Sequence, residues 1–188
     1  MNIVKKSLLA AAIFGVSTFA FAEAPSFNYL GLGWSSVSGD SADLTGYELS
    51  GSYEISDKIF LETSFSDGQA AFGAVEADAT DLSFGIGYVL TESDTTNTYV
   101  SLNSNRIEVN SIDVSGYTAS TGVRSNVADS LQLGAKLSYS DTEIADSDSV
   151  ITVSATVDWY ASPNWTFGTG LGSTDGDFSL TLGTAFYY

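Results

Sequence analysis

The chain contains no cysteine and no histidine, and each absence removes a class of protein. Without cysteine, no disulfide framework can stabilise it, although its opening residues mark it for export to compartments where such frameworks are common. Without histidine, the usual general base, the Ser-His and Cys-His arrangements and the commonest metal ligand are all lost. Basic residues are scarce, six against 23 acidic ones for a net charge of −17. Nucleic acid is excluded as a partner because it demands a basic footprint. Docking on anionic lipid through a basic patch fails for the same reason. Long hydrophobic runs are also missing after residue 22, so no transmembrane helix is encoded there.

What is present begins with a targeting segment. Lys5 and Lys6 form a positive n-region, residues 7–20 an apolar h-region, and Ala20-Phe21-Ala22 an A-x-A cleavage site. Residues 1–22 are therefore expected to be a cleaved signal peptide, and residues 23–188 a single domain. Acidity of this strength would indicate disorder if aromatics were few. At 13% aromatic and 44% apolar residues, the chain has the material for a fold.

The rest of the sequence keeps a period of two, the signature of strands. Ten segments follow: 27–36, 44–55, 59–66, 81–90, 96–104, 116–125, 130–140, 150–160, 165–172 and 177–188. Most are about ten residues, the length with which a tilted strand crosses a bilayer core. Pro25 and Pro163 fall outside them. Short connections follow segments two, four, six and eight, and longer polar ones follow most of the others. That asymmetry is the habit of outer-membrane barrels.

The two faces decide between a membrane barrel and a soluble one. Leu82, Phe84, Ile86, Tyr88 and Leu90 oppose Ser83, Gly85 and Gly87, and Ile151, Val153, Ala155, Val157 and Trp159 oppose Thr152, Ser154, Thr156 and Asp158. The small polar face is too bland for a solvated surface and suits a narrow interior. Tyr53, Tyr88, Trp159, Trp165, Phe186 and Tyr188 cluster near the short-turn ends, and Trp34, Phe65, Tyr117, Tyr139 and Phe178 near the other, as interfacial girdles do. The expected fold is an all-β, up-and-down antiparallel transmembrane β-barrel of ten strands, eight being the other count.

The last segment, Phe178 to Tyr188, alternates apolar residues and ends on an aromatic. In this it resembles the C-terminal signature of outer-membrane barrels. The stretch from Gly116 to Asp141 and the opening Phe27-Asn-Tyr-Leu-Gly-Leu-Gly resemble small barrels of the OmpA/OmpX type, particularly those of xanthomonads and their relatives. The resemblance implies an outer-membrane location in a Gram-negative cell. It also implies that Leu180, Leu182, Phe186 and Tyr188 form an assembly signal for the barrel-insertion machinery. It supplies no catalytic residues.

By alternation Glu48, Glu54, Glu62, Arg124, Lys136 and Asp158 face inward. A lone charge in a narrow lumen is costly unless paired or hydrated. A cross-lumen ionic network is therefore expected, with Arg124 at the level of Glu54 and Glu62 and Lys136 at that of Glu48. The alternative, charges hydrated in an open channel, would favour a pore. Outside, many loop carboxylates oppose only Arg106. They read as a solvated rim or as weak divalent-cation bridges to lipopolysaccharide phosphates. No metal or cofactor site and no enzyme activity are expected. The function read from the sequence is a monomeric, non-catalytic barrel embedded in outer-membrane lipid, with a structural and surface-interaction role carried by its acidic loops. The alternative is a narrow, cation-preferring, porin-like channel for small solutes.

Overall fold

A computed structural model describes residues 25–39, 43–72, 75–110, 112–143 and 149–188. They form ten strands: β1 (Tyr29–Ser38), β2 (Asp43–Ser56), β3 (Ile59–Phe72), β4 (Val75–Glu92), β5 (Thr96–Val109), β6 (Ile112–Ala128), β7 (Leu131–Thr142), β8 (Val150–Ser162), β9 (Trp165–Thr174) and β10 (Asp177–Tyr187). Each pairs antiparallel with its sequence neighbours, and β10 closes on β1 through Tyr29↔Tyr187 and Trp34↔Leu182. Closure leaves no sheet edge, which lipid would not tolerate because it cannot hydrogen-bond one. The ten-strand expectation holds. The expected signal peptide, together with Asp40, Asp146 and Asp148, lies outside the described residues.

The large apolar side chains point out. Leu32, Leu49, Phe84, Ile86, Leu102, Leu137, Val153, Phe167, Leu171 and Leu182 are all about half exposed, on strands spread around the whole barrel. In water this band would be untenable for a monomer; facing hydrocarbon it is what a transmembrane barrel requires. On β4 it runs from Leu82 to Leu90, matching the roughly 9–11 residues of a tilted transmembrane strand. Girdle rings pack against each other on its margins, with Trp165 and Phe186 centred 5.3 Å apart at one end and Tyr117 and Tyr139 6.3 Å apart at the other.

The short-turn rim is regular. Register shifts at Glu54/Ser56, Val89/Thr91, Asn126/Ala128 and Tyr160/Ser162 place one bulge beside each short turn. Bulges sharpen the local twist, as rims of barrels need. Main-chain hydrogen bonds clip the first three turns to the following hairpin, from Val89 to Lys58, Asn126 to Thr95 and Tyr160 to Ser130, and the fourth to the closing strand, from Tyr187 to Asn164.

The opposite rim departs from expectation. The connections 67–80 and 105–115, expected as loops, are mostly strand. β3 and β4 run on to Phe72 and from Val75, and β5 and β6 to Val109 and from Ile112. The physical reason is an exchange of faces. Beyond the apolar band the inward residues become apolar (Leu44, Ala70, Ala77, Ala79, Ile107, Val109, Val114), while Asp43, Asp67, Asp78, Glu108 and Asp113 turn outward. The two hairpins continue past the apolar band as a water-facing extension with an apolar inner face.

Candidate functional site: the barrel lumen

The chain enters at the short-turn end, and its first described residues fold into the mouth. Pro25, Phe27 and Tyr29 are each almost wholly buried. The Phe27 ring stacks on Phe60 at 3.9 Å and meets Tyr99 edge-on at 5.5 Å. Arg124 lies over Phe27 at 4.3 Å and near Tyr99 at 5.2 Å, cation–π contacts in a desolvated place. Polar bonds fix the backbone of the segment. Phe27 N and Asn28 Nδ2 donate to the Glu54 carboxylate at 2.6 and 3.1 Å, Asn28 Oδ1 accepts from Glu54 N, and Asn97 Nδ2 donates to the Pro25 carbonyl. Tyr29, Tyr160 and Tyr187 pack as a second cluster alongside. Segment 27–36 was expected to be strand from its first residue; instead the strand begins at Tyr29, and Phe27 and Asn28 form a plug.

Above the plug lies a polar belt. Thr118 bonds Ser140, Ser120 bonds Ser138, and Asn105 Nδ2 donates to Thr118. Five of the six residues expected to face the interior are buried there: Glu48, Glu62, Arg124, Lys136 and Asp158, while Glu54 is half-buried at the mouth. Their contacts differ from direct ion pairing. Glu62 Oε1 accepts from Asn103 Nδ2 at 2.6 Å, and Glu54 holds the plug. Glu48 has partners of its own. Arg124 spends its face on rings, while the charges of Glu62 and Asp158 act on it through space. Its Nε and Nη1 have no hydrogen-bond partner among the described residues.

Two features of the lumen escape sequence reasoning. The inner face is not uniformly small, because Phe60, Tyr99, Tyr160 and Tyr187 fill its short-turn end. Adjacent aromatics carry the signal: in Trp159-Tyr160 and Phe186-Tyr187-Tyr188 alternation must turn one ring inward. Asp81, 3% exposed with both carboxylate oxygens unpartnered among the described residues, also faces inward. It shares the parity of Ser83, which marks its face. Leu180, Leu182, Phe186 and Tyr188 lie on the outer surface at the closing strand.

On the outer rim Arg106 Nη2 donates to Asp113 Oδ2 at 2.9 Å and Nε to Oδ1 at 3.2 Å. That pair holds the Asp113 carboxyl below its ordinary range. Among the described residues no three acidic side chains gather closely enough to hold a metal ion.

The model of the outer membrane protein beta-barrel domain matches residues 7–186. No curated protein matches the chain. Among solved structures it is similar to the COG4313 outer membrane channel from Pseudomonas putida F1, at 13% identity and a TM-score of 0.58 over 92% of this chain and 100% of that one. The NanC porin aligns at 8% identity and 0.56 over 85% and 100%. The KdgM porin in complex with disordered oligogalacturonate aligns at 12% and 0.50 over 85% and 99%. At such identities the likeness is one of fold. A closed ten-strand barrel with an apolar belt, matched by the family model over nearly its whole length, belongs to the outer membrane protein beta-barrel domain family and resides in the outer membrane.

Proposed function

We propose that this protein is a non-conducting, non-catalytic barrel that lends structure to the outer membrane and presents a protruding acidic rim to the outside. One observation carries the reading: side chains fill both ends of the lumen. At the short-turn end Phe27, Tyr29, Phe60, Tyr99, Tyr160 and Tyr187 are all 7% exposed or less, and at the other end Leu44 and Ile107 are wholly buried. In an open pore these inward side chains would face water. Lipid and lipopolysaccharide are then the barrel's surroundings. The insertion machinery is its assembly partner through Leu180, Leu182, Phe186 and Tyr188, and the barrel acts as a monomer.

A second reading has its own support. The periplasmic closure depends partly on a short N-terminal segment rather than on the strands, and structures of similar fold are named as porins and channels. If the plug withdraws, the interior acids outnumber Arg124 and Lys136, and the path would prefer cations. Planar-bilayer recording of the protein purified from outer membranes separates the two. Silence at moderate voltage is expected; sustained stepwise cation-selective openings would overturn the sealed-barrel reading.

A further inference from the structure

The ladder between β1 and β2 ends one hydrogen-bonded rung early. Its last pair is Tyr29 with Ser52, and the same register would next set Asn28 opposite Tyr53 and Phe27 opposite Glu54. The Glu54 N–H is turned toward the β1 side, where it bonds Asn28. Rungs of an antiparallel ladder alternate, so Phe27 opposite Glu54 would be a rung that exchanges both main-chain bonds. Side chains take both bonds instead. Phe27 N donates to Glu54 Oε1 at 2.6 Å, and Glu54 N to Asn28 Oδ1 at 2.8 Å. Asn28 Nδ2 closes the set on Glu54 Oε2 at 3.1 Å.

The longer reach of these side-chain partners lets the segment leave the wall and cross the mouth. There the Pro25 carbonyl accepts from Asn97 Nδ2 on β5, and Phe27 stacks on Phe60 beneath Arg124. The arrangement depends on the carboxylate. Without it the buried Phe27 N–H loses its acceptor, and a buried main-chain donor left unpaired is costly. The register already offers a replacement, the main-chain carbonyl of residue 54.

We propose that residues 25–28 form a strap with two seats. Latched by Glu54 and Asn28, it lies across the short-turn mouth. Unlatched, it zips onto β2 as an extension of β1, gives up Asn97 and uncovers Tyr99 and Arg124. That the latched seat seals the mouth rests on the sealed-barrel reading above. Because the chain has no cysteine, spin labels at Ser26→Cys and Asp94→Cys, the latter on the exposed turn before β5, can report the seat. Pulsed dipolar spectroscopy is run on the protein purified from outer membranes and reconstituted in bilayers. With the native latch a single short distance is expected. With Glu54→Ala a second population should appear, longer by on the order of 10 Å, since four strand spacings of about 4.8 Å then separate the segment from β5 around the wall. Asn28→Ala, which lies outside every strand, should produce the same population, and it decides if Glu54→Ala does not fold. A single unchanged distance in the folded variants would overturn the strap. The distance is blind to conduction, so openings recorded from the wild type would sink the sealed-barrel reading and leave the strap standing.

Discussion

Phe27 sits at the centre of the contacts that fill the short-turn mouth. It is 1% exposed, stacked on Phe60 and covered by Arg124. Truncating a buried Phe to Ala removes transfer energy and leaves a cavity, together worth about 3–5 kcal/mol. Phe27→Ala should lower the urea midpoint by a corresponding amount and admit ion flow in single-channel records. An unchanged midpoint with continued silence would mean that the segment does not stopper the barrel. At this scale the sequence was half legible. Parity alone placed Glu48, Glu62, Arg124, Lys136 and Asp158 inside, because each sits opposite a run of large apolar neighbours. Their partners were not readable, since those depend on side-chain reach across a lumen whose filling by Tyr99, Phe60 and a non-strand Phe27 follows no periodic rule.

Strands were legible wherever the apolar set kept one parity. They were lost where it changed. On β5 the apolar residues Val100 and Leu102 point outward and Ile107 and Val109 inward, although the strand continues without a bulge between them. Read as a fading alternation, that change ends the strand; read as solvent changing from lipid to water, it marks the membrane exit. The β5–β6 extension carries the Arg106–Asp113 pair, and its pH response has a definite sign. A carboxyl whose folded value is depressed contributes stability that is present above its unfolded value, about 3.9, and lost as pH falls through the folded one. Hydrogen-exchange protection at the β5–β6 tip, corrected for intrinsic rates, should therefore be level from neutrality to about pH 5 and decline below about pH 4. Asp113→Asn should abolish the acid-dependent decline. High salt should weaken it, because the pair is exposed. A protection profile that is the same in both proteins would remove the pair from the account.

The whole molecule is one closed barrel whose two sections differ in what surrounds them. One section has hydrocarbon outside and a polar belt inside; the other has water outside and an apolar filling. The fold class, strand number and location were all legible because they depend on which face is greasy, a local property repeated ten times. The length of the protrusion was not, since it depends on where that property reverses. β4 crosses the boundary with every outward position available: Asp78 and Thr80 lie on the water side, and Leu82, Phe84, Ile86 and Tyr88 on the lipid side. Because the chain has no native cysteine, single-cysteine spin labels at these six positions can be read in reconstituted bilayers by power saturation. Labels at 82, 84, 86 and 88 should be accessible to oxygen and shielded from a water-soluble nickel reagent, and labels at 78 and 80 the reverse. Nickel accessibility at all six positions would contradict the account.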